Sequence, residues 1–426
     1  MARGVIDRTA GFYDPVMECL TPADRRKFVR DRLRETLQHA AKHTPHLCHR
    51  LEVAGLTLEQ LTEPDDLFRL PPLRKRDLPS LQGQWPPFGG LVAVPPHTLR
   101  RVFSSPGPIY DPEGAFPDFW RMARAMHAAG FRRGDIVLNT FAYHLTPAGS
   151  MCDEGLATLG CVVVPMGGGN TETQVQVLRH IRATGYVGTP SFLHTILQRA
   201  LETGIIPLRD LSLEVALVSG GMLPESLRVL MRQEYGVSVT QAYASADLGL
   251  IAYECQERAG MHVAEDLVLQ IADPETGQSV GDGMAGEVVV TTFNSVYPLI
   301  RFGTGDLSLL DLTPCQCGRT TPRLTRILGR ADDVTKIRGM FVHPSQLDAV
   351  MNETPEIRQY QLVVRRKGFE DEVTLRVETA DLPGAQAGYL ESRLREAIKL
   401  RAQVEVVPPG TIPPDGKKIL DDRTWE

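Results

Sequence analysis

The 426-residue chain contains no apolar run approaching the ~18 residues that span a bilayer, so no membrane helix is expected. Its opening, MARGVIDRTAGFYDPVMEC, lacks the continuous apolar core of a secretory signal, which makes the cytoplasm the default expectation. An excess of basic charge is missing too: the formal net charge is -6, against the basic stripe of a nucleic-acid binder. Seven cysteines in a chain of this length do not form a disulfide framework. Cys19, Cys48, Cys152 and Cys161 are scattered and read as free thiols. Internal repeats and low-complexity tracts are absent as well.

What remains is the composition of a soluble globular protein, 42% hydrophobic and 23% charged. The length suits one large domain and one small one. Apolar positions at helical spacing over 21–41 predict an amphipathic helix, with Thr21 as cap and Pro22 at its first position. Short helices broken by Leu70-Pro71-Pro72 are expected over 51–80. From about 115 to 236 helices and strands alternate, beginning with a helix over FPDFWRMARAMHAAG. Such alternation predicts βαβ units and a mostly parallel sheet, whose strand carboxyl ends take ligands. After about 260 the chain turns β-rich, and from about 332 it reads as a compact α+β domain.

Several strings carry chemistry. In QAYASADLG, Tyr243 and Asp247 could stack on a base and hold a metal ion. In PLIRFGTGDLS, Asp306 is expected just after a strand, where a carboxylate can accept both hydroxyls of a ribose. LGRADDVTKIRGMFVHPSQLDAV, 328–350, taken alone could equally be a solvated turn between domains. TIPPDGKKIL, near the C-terminus, puts a Gly-Lys pair on a loop.

In this order the four strings resemble the adenylate-forming superfamily of acyl-CoA synthetases, nearest to its phenylacetate–CoA ligase branch. The resemblance runs from about residue 20 to the C-terminus and includes RLRETLQHAAKHTP and LPPLRKRDL. It implies an α/β fold: a large N-terminal domain over 1–331, of two βα-type sheets with a β-rich barrel, and a small mobile α+β lid over 332–426. It also implies roles. Tyr243 looks like the aromatic residue on adenine, with Ala244 and Ser245 beside it, Asp247 the Mg²⁺-binding acid, Asp306 the ribose ligand and Arg330 the arginine near ribose and phosphate. Asp332 resembles the hinge. Lys417 resembles the lid lysine that neutralises charge growing on the phosphate and carboxylate oxygens, with Lys418 the runner-up. NTFAYHLTPAG aligns with the acyl-pocket loop, so Phe141, Tyr143 and His144 are candidates for the acid site, with core packing the alternative for Phe141. Gly168, in the 167–169 run, and Gly220-Gly221 would let backbone approach substrate and nucleotide.

The resemblance implies acid activation by ATP to an acyl-AMP, then transfer to CoA with release of AMP. An amine or carrier-thiol acceptor, and a non-catalytic relative, are the other readings. The pattern fails at one place. Relatives carry a Ser/Thr/Gly-rich loop ending in Lys around the phosphates; here VFSSPGPIYDPEG keeps Ser104, Ser105 and Gly107 only. Pro106 and Pro108 remove two backbone donors, and Asp111 and Glu113 are expected to put negative charge where phosphates lie. Three explanations fit: another way of holding ATP, a specialised or reverse reaction, or lost activity.

Cys255 and His262 precede Cys315-Gln316-Cys317-Gly318, a short knuckle that could complete a closed Cys₃His structural zinc site. Reduced thiols and a surface histidine are the alternative. A homodimer is the commonest closed assembly for such a chain. Small molecules, not nucleic acid or membrane, are the expected partners.

Overall fold

The computed structural model describes residues 7–9, 11–281, 283–331, 335–338, 340–342, 344–354, 357, 359–379, 384–413 and 417–423. The chain divides into two compact units. One comprises Met1–Gly188, Thr195–Ser219 and Met231–Ala331; the other comprises Thr189–His194, Gly220–Leu230 and Asp332–Glu426.

In the first unit the N-terminal helix runs Pro22–His43, and Thr21 accepts the Asp24 N–H at 3.2 Å as the predicted cap. Its apolar stripe, Leu33, Leu37 and Ala40, packs with Leu47, Leu51 and Leu67 into a satellite core. The helix expected from 116 starts only at Met122. Asp118 and Arg121 take φ of +49° and +64°, which interrupts helical backbone, and the Asp118 carboxylate instead accepts the Ala123 N–H at 3.1 Å.

The strands Val162–Pro165, Ile136–Asn139, Gly185–Gly188, Val215–Val218 and Ser238–Ser245 lie side by side, all parallel. The alternating stretch thus forms the expected parallel strands. Gly249–Glu254, Met261–Val263, Arg323–Leu324 and Leu310–Asp311 continue the same nine-stranded sheet antiparallel. Turns of a few residues after Ser245 and Glu254 leave no room for a crossover, so the chain returns as hairpins. Met122, Met126, Met151 and Leu156 from flanking helices bury with Val137 and Leu217 in the main core.

The β-rich stretch supplies a second sheet, ordered Leu73–Arg74, Phe302–Ser308, Gly286–Thr292, Leu267–Ala272, with Gly329–Arg330 pairing the Phe302–Ser308 strand. The segment after the Leu-Pro-Pro break therefore contributes a short strand before its helix, Leu78–Gln84.

The second unit has a four-stranded sheet, Gln403–Val407, Glu370–Glu378, Gln359–Lys367 and Ile419–Asp421 in that order. Helices Pro344–Met351 and Gly384–Ile398 contribute Leu347, Val350, Leu390 and Leu394 to its core. The strand Ile419–Asp421 has no sequence signal; it pairs parallel with Gln359–Lys367. Among the described residues no helix is long and apolar enough to cross a membrane.

Two histidines make the first unit acid-sensitive. Burial first, and then the neighbouring Arg50 and Arg132 respectively, lower His46 and His127 from 6.5 to about 4. Unfolding lets both take up protons, so stability is lost as pH falls from 6.5 toward 4. For the buried His46 the upper bound is about 3 kcal/mol. Denaturant titrations should show a steeper acid loss for the wild type than for His46→Asn/His127→Asn; parallel curves would contradict this assignment.

Candidate active site

Where the sheet changes from parallel to antiparallel, the pairing of Ser238–Ser245 with Gly249–Glu254 shifts register between Tyr243 and Ala244. Such bulges re-aim side chains. The Tyr243 hydroxyl donates to Asp306 Oδ2 at 2.6 Å, and Arg330 Nη1 donates to Asp306 Oδ1 at 2.9 Å. Asp306 lies within the Phe302–Ser308 strand, not after it, directly opposite Arg330. Arg330 thus belongs to a paired strand and is no solvated turn. Each Asp306 oxygen keeps a further lone pair, enough to accept from two vicinal hydroxyls. Burial, and then the Asp306 carboxylate beside it, push the Tyr243 phenol well above its ordinary value, so it stays a donor.

Ser245 Oγ accepts the Leu248 N–H at 3.2 Å and closes the turn that carries Asp247. The turn ends on Gly249 at φ +71°, where a Cβ would lie 2.8 Å from the Trp120 carbonyl oxygen, so no larger residue fits. Asp247 is buried, and its Oδ2 accepts from Lys75 Nζ at 2.5 Å. Lys75 is a site residue that sequence reasoning missed. Its one signal is the run Arg74-Lys75-Arg76, in which Arg76 stays exposed, Arg74 pairs with Glu287, and only Lys75 is buried.

The altered loop is a hairpin, Arg101–Ser105 with Ile109–Glu113, and Ser104 and Ser105 lie beside its tip. Strand alternation points Tyr110 outward and turns Asp111 inward. Asp111 and Glu113 are both fully buried. Glu113 accepts from Trp120 Nε1 at 2.9 Å and pairs with Arg101 at 3.3 Å. Burial first, and then Asp247, raise the Asp111 carboxyl well above the usual range.

In the Asn139–Gly149 loop, Phe141 and Tyr143 are half-buried and His144 is exposed. Phe141 packs on the main core, as its bland alternative supposed, and the Tyr143 hydroxyl accepts from Asn139 Nδ2 at 2.8 Å. Gly168 is open to solvent, while Gln174 Nε2 holds the carbonyls of Gly167 and Gly169 at 2.9 and 2.7 Å. Gly220 and Gly221 follow the strand Val215–Val218 and group with the second unit, Gly220 at φ +78°.

Within the second unit Lys417 is exposed and its carbonyl accepts from Gln361 Nε2 at 2.9 Å. The neighbouring Lys418 ammonium is tied to Asp348 at 2.6 Å and lies over the Tyr360 ring. Asp332 lies outside the described residues.

The four residues of the thiolate cluster converge. Cys255 follows the Gly249–Glu254 strand, His262 lies on its hairpin partner, and Cys315 and Cys317 form the knuckle before Arg323–Leu324. Their ligand atoms all lie within 4.8 Å of one another. Cys255 Sγ is 3.8 Å from Cys315 Sγ, and Cys317 Sγ is 3.4 Å from His262 Nε2. His262 is not on the surface but fully buried, its Nδ1 3.3 Å from the Thr321 carbonyl oxygen.

Two family models match the chain: AMP-binding enzyme over residues 119–296, and AMP-binding enzyme C-terminal domain over 339–423. A phenylacetate-coenzyme A ligase of Thermus thermophilus is 33% identical, over 94% of this chain and 96% of its own length. Another, from Aromatoleum evansii, is 30% identical over 98% of each. A crystal structure of 2-hydroxyisobutyryl-CoA ligase in complex with 2-HIB-AMP and CoA superposes with a TM-score of 0.89 at 28% identity, covering 100% of this chain and 94% of that one. The chain belongs to the phenylacetate–CoA ligase family.

For this member of the phenylacetate–CoA ligase family, the departure at 102–114 is a hairpin whose Glu113 is held by Trp120 and Arg101. Trp120→Phe removes the N–H that Glu113 accepts and should destabilise by about 1–3 kcal/mol, the cost of an unsatisfied buried group. Chemical denaturation measures this; an unchanged midpoint would show that the hairpin does not depend on that bond.

Proposed function

We propose that this chain is an AMP-forming acid–CoA ligase. A small carboxylate attacks the α-phosphorus of ATP, giving acyl-AMP and pyrophosphate; the CoA thiolate then attacks the acyl carbon and AMP leaves. The observation that carries the reading is the Tyr243–Asp306–Arg330 cluster, a preorganised acceptor for vicinal hydroxyls in a chain whose relatives join acids to CoA.

In this reading Asp306 takes the ribose hydroxyls, Tyr243 flanks the adenine with Ala244 and Ser245, and Arg330 neutralises phosphate. Phe141, Tyr143, His144 and Gly168 border the acid, and two aromatic rings suit an aromatic acid. Ser104 and Ser105 contact the nucleotide from a hairpin that cannot wrap it. Gly220 and Gly221 give the nucleotide close backbone approach. The segment 332–426 of the second unit acts as the lid.

Asp247 would hold Mg²⁺: its buried Oδ1 meets no donor among the described residues and has a lone pair to offer a cation. Bound there, Mg²⁺ would neutralise the triphosphate. The thiolate cluster fits structural zinc. Tetrahedral Zn with bonds of ~2.3 Å to sulfur and ~2.0 Å to nitrogen requires S···S of ~3.8 Å and S···N of ~3.5 Å, against 3.8 and 3.4 Å here. The Thr321 carbonyl would orient the histidine by accepting its Nδ1 proton. We place the reaction in the cytoplasm, where such thiolates stay reduced.

AMP release measured over a panel of aromatic and short aliphatic acids, with and without CoA, tests the reaction; no acid-dependent AMP from any of them would sink it. In this reading Lys417 is the lid lysine, while the Lys418 ammonium is held by Asp348 within the second unit. Lys417→Ala should slow acyl-AMP formation by roughly 10²–10³-fold, as losing a preorganised electrostatic contact does, and Lys418→Ala far less. Equal effects would reject that choice.

Purified protein should contain one zinc per chain. Cys315→Ser/Cys317→Ser should lose it and lower the Tm, by roughly 2–4 °C for each kcal/mol. Metal analysis beside calorimetry decides, and a zinc-free wild type of unchanged stability would reject the site.

A further inference from the structure

Beneath the altered hairpin lies a group of polar atoms that protein contacts leave unsatisfied. Asp111 is fully buried, and among the described residues neither of its carboxylate oxygens meets a donor at hydrogen-bond geometry. Asp247 Oδ1, Ser105 Oγ and the Tyr297 hydroxyl are also buried without such a contact. These atoms belong together. Ser105 and Asp247 are immediate side-chain neighbours of Asp111, and the Tyr297 phenol is pushed well above its ordinary value by burial and then by Asp247 and Asp111. Among the described residues the cation beside them is the Lys75 ammonium, and it sits on Asp247 Oδ2 at 2.5 Å. Glu113, two residues on, is neutralised separately by Arg101. With Lys75 tied to Asp247, the ionised form of Asp111 has no cation of its own and is strongly unfavourable without one.

We infer that Asp111 is a second carboxylate ligand for the divalent cation expected at Asp247. The inference rests on the reading of Asp247 as the Mg²⁺-binding acid. Mg²⁺ is commonly held by one or two carboxylates together with substrate phosphates. In this chain Lys75 already offsets the charge of Asp247, and Asp111 restores a net negative site with further oxygens from Ser105 and Tyr297 around it. The hairpin that lost its phosphate-wrapping backbone donors would then act on the triphosphate through the metal.

The test is a titration of zinc-saturated, nucleotide-free protein with Mn²⁺, followed by electron paramagnetic resonance and by the Mn²⁺-induced rise in Tm. Wild type should bind one Mn²⁺. Asp111→Asn and Asp247→Asn, both of conserved shape, should weaken binding by at least the roughly 10–100-fold seen when even an outer-shell partner is lost, and should remove the rise in Tm. Near-ultraviolet circular dichroism confirms that each variant is folded; Asp111→Glu, which keeps the charge, should retain Mn²⁺ if the asparagine variant does not fold. Wild-type affinity in Asp111→Asn overturns the inference, because Asp111 then merely carries a proton. No nucleotide-free Mn²⁺ binding in the wild type overturns it as well. Acid-dependent AMP release on the same preparations reports separately on the ligase reading, which survives either negative result.

Discussion

The ion pair between Lys75 and Asp247 joins two distant stretches of the chain inside the protein. One is the short segment that enters the second sheet at Leu73–Arg74; the other is the turn that ends the last parallel strand. Neither group is tolerable there alone, since an isolated buried charge is forced to neutralise or to find a partner. The pair therefore fixes the turn carrying Asp247 relative to the second sheet. That sheet also holds Asp306, so the two acidic residues of the candidate site are positioned by one framework.

The same requirement shapes the neighbourhood. Asp306 is clasped by Tyr243 and Arg330, Glu113 by Trp120 and Arg101, and Arg74 by Glu287. Asp111, in the segment where the chain departs from its family's phosphate loop, has no cation of its own among the described residues and lies against Ser105 and Asp247. Charge on the hairpin looked obstructive when only its sequence was considered. In the fold its strands turn that charge inward, Glu113 onto Trp120 and Arg101 and Asp111 toward Asp247.

The zinc-like cluster is governed by hairpin geometry. An antiparallel pair brings His262 beside Tyr253, two residues before Cys255, and the sheet then places the Cys315–Cys317 knuckle against both. Gly318 at φ +89° lets the knuckle close, its N–H bonding the Cys315 carbonyl at 3.2 Å.

The sequence by itself determined the alternating helices and strands of the parallel half, the N-terminal helix and the family, and it singled out Tyr243, Asp306, Arg330 and the four cluster residues as candidates. Those signals are local: apolar spacing and short strings survive in one dimension because each residue's neighbours in the chain share its element. The tertiary structure alone decided that the sheet turns antiparallel, that Ile419–Asp421 is a strand, that Lys75 rather than Arg74 or Arg76 meets Asp247, and that Asp111 faces the interior. Each of these depends on contacts between residues far apart in the chain. Burial, which sets what a charge costs, exists only once those contacts have formed.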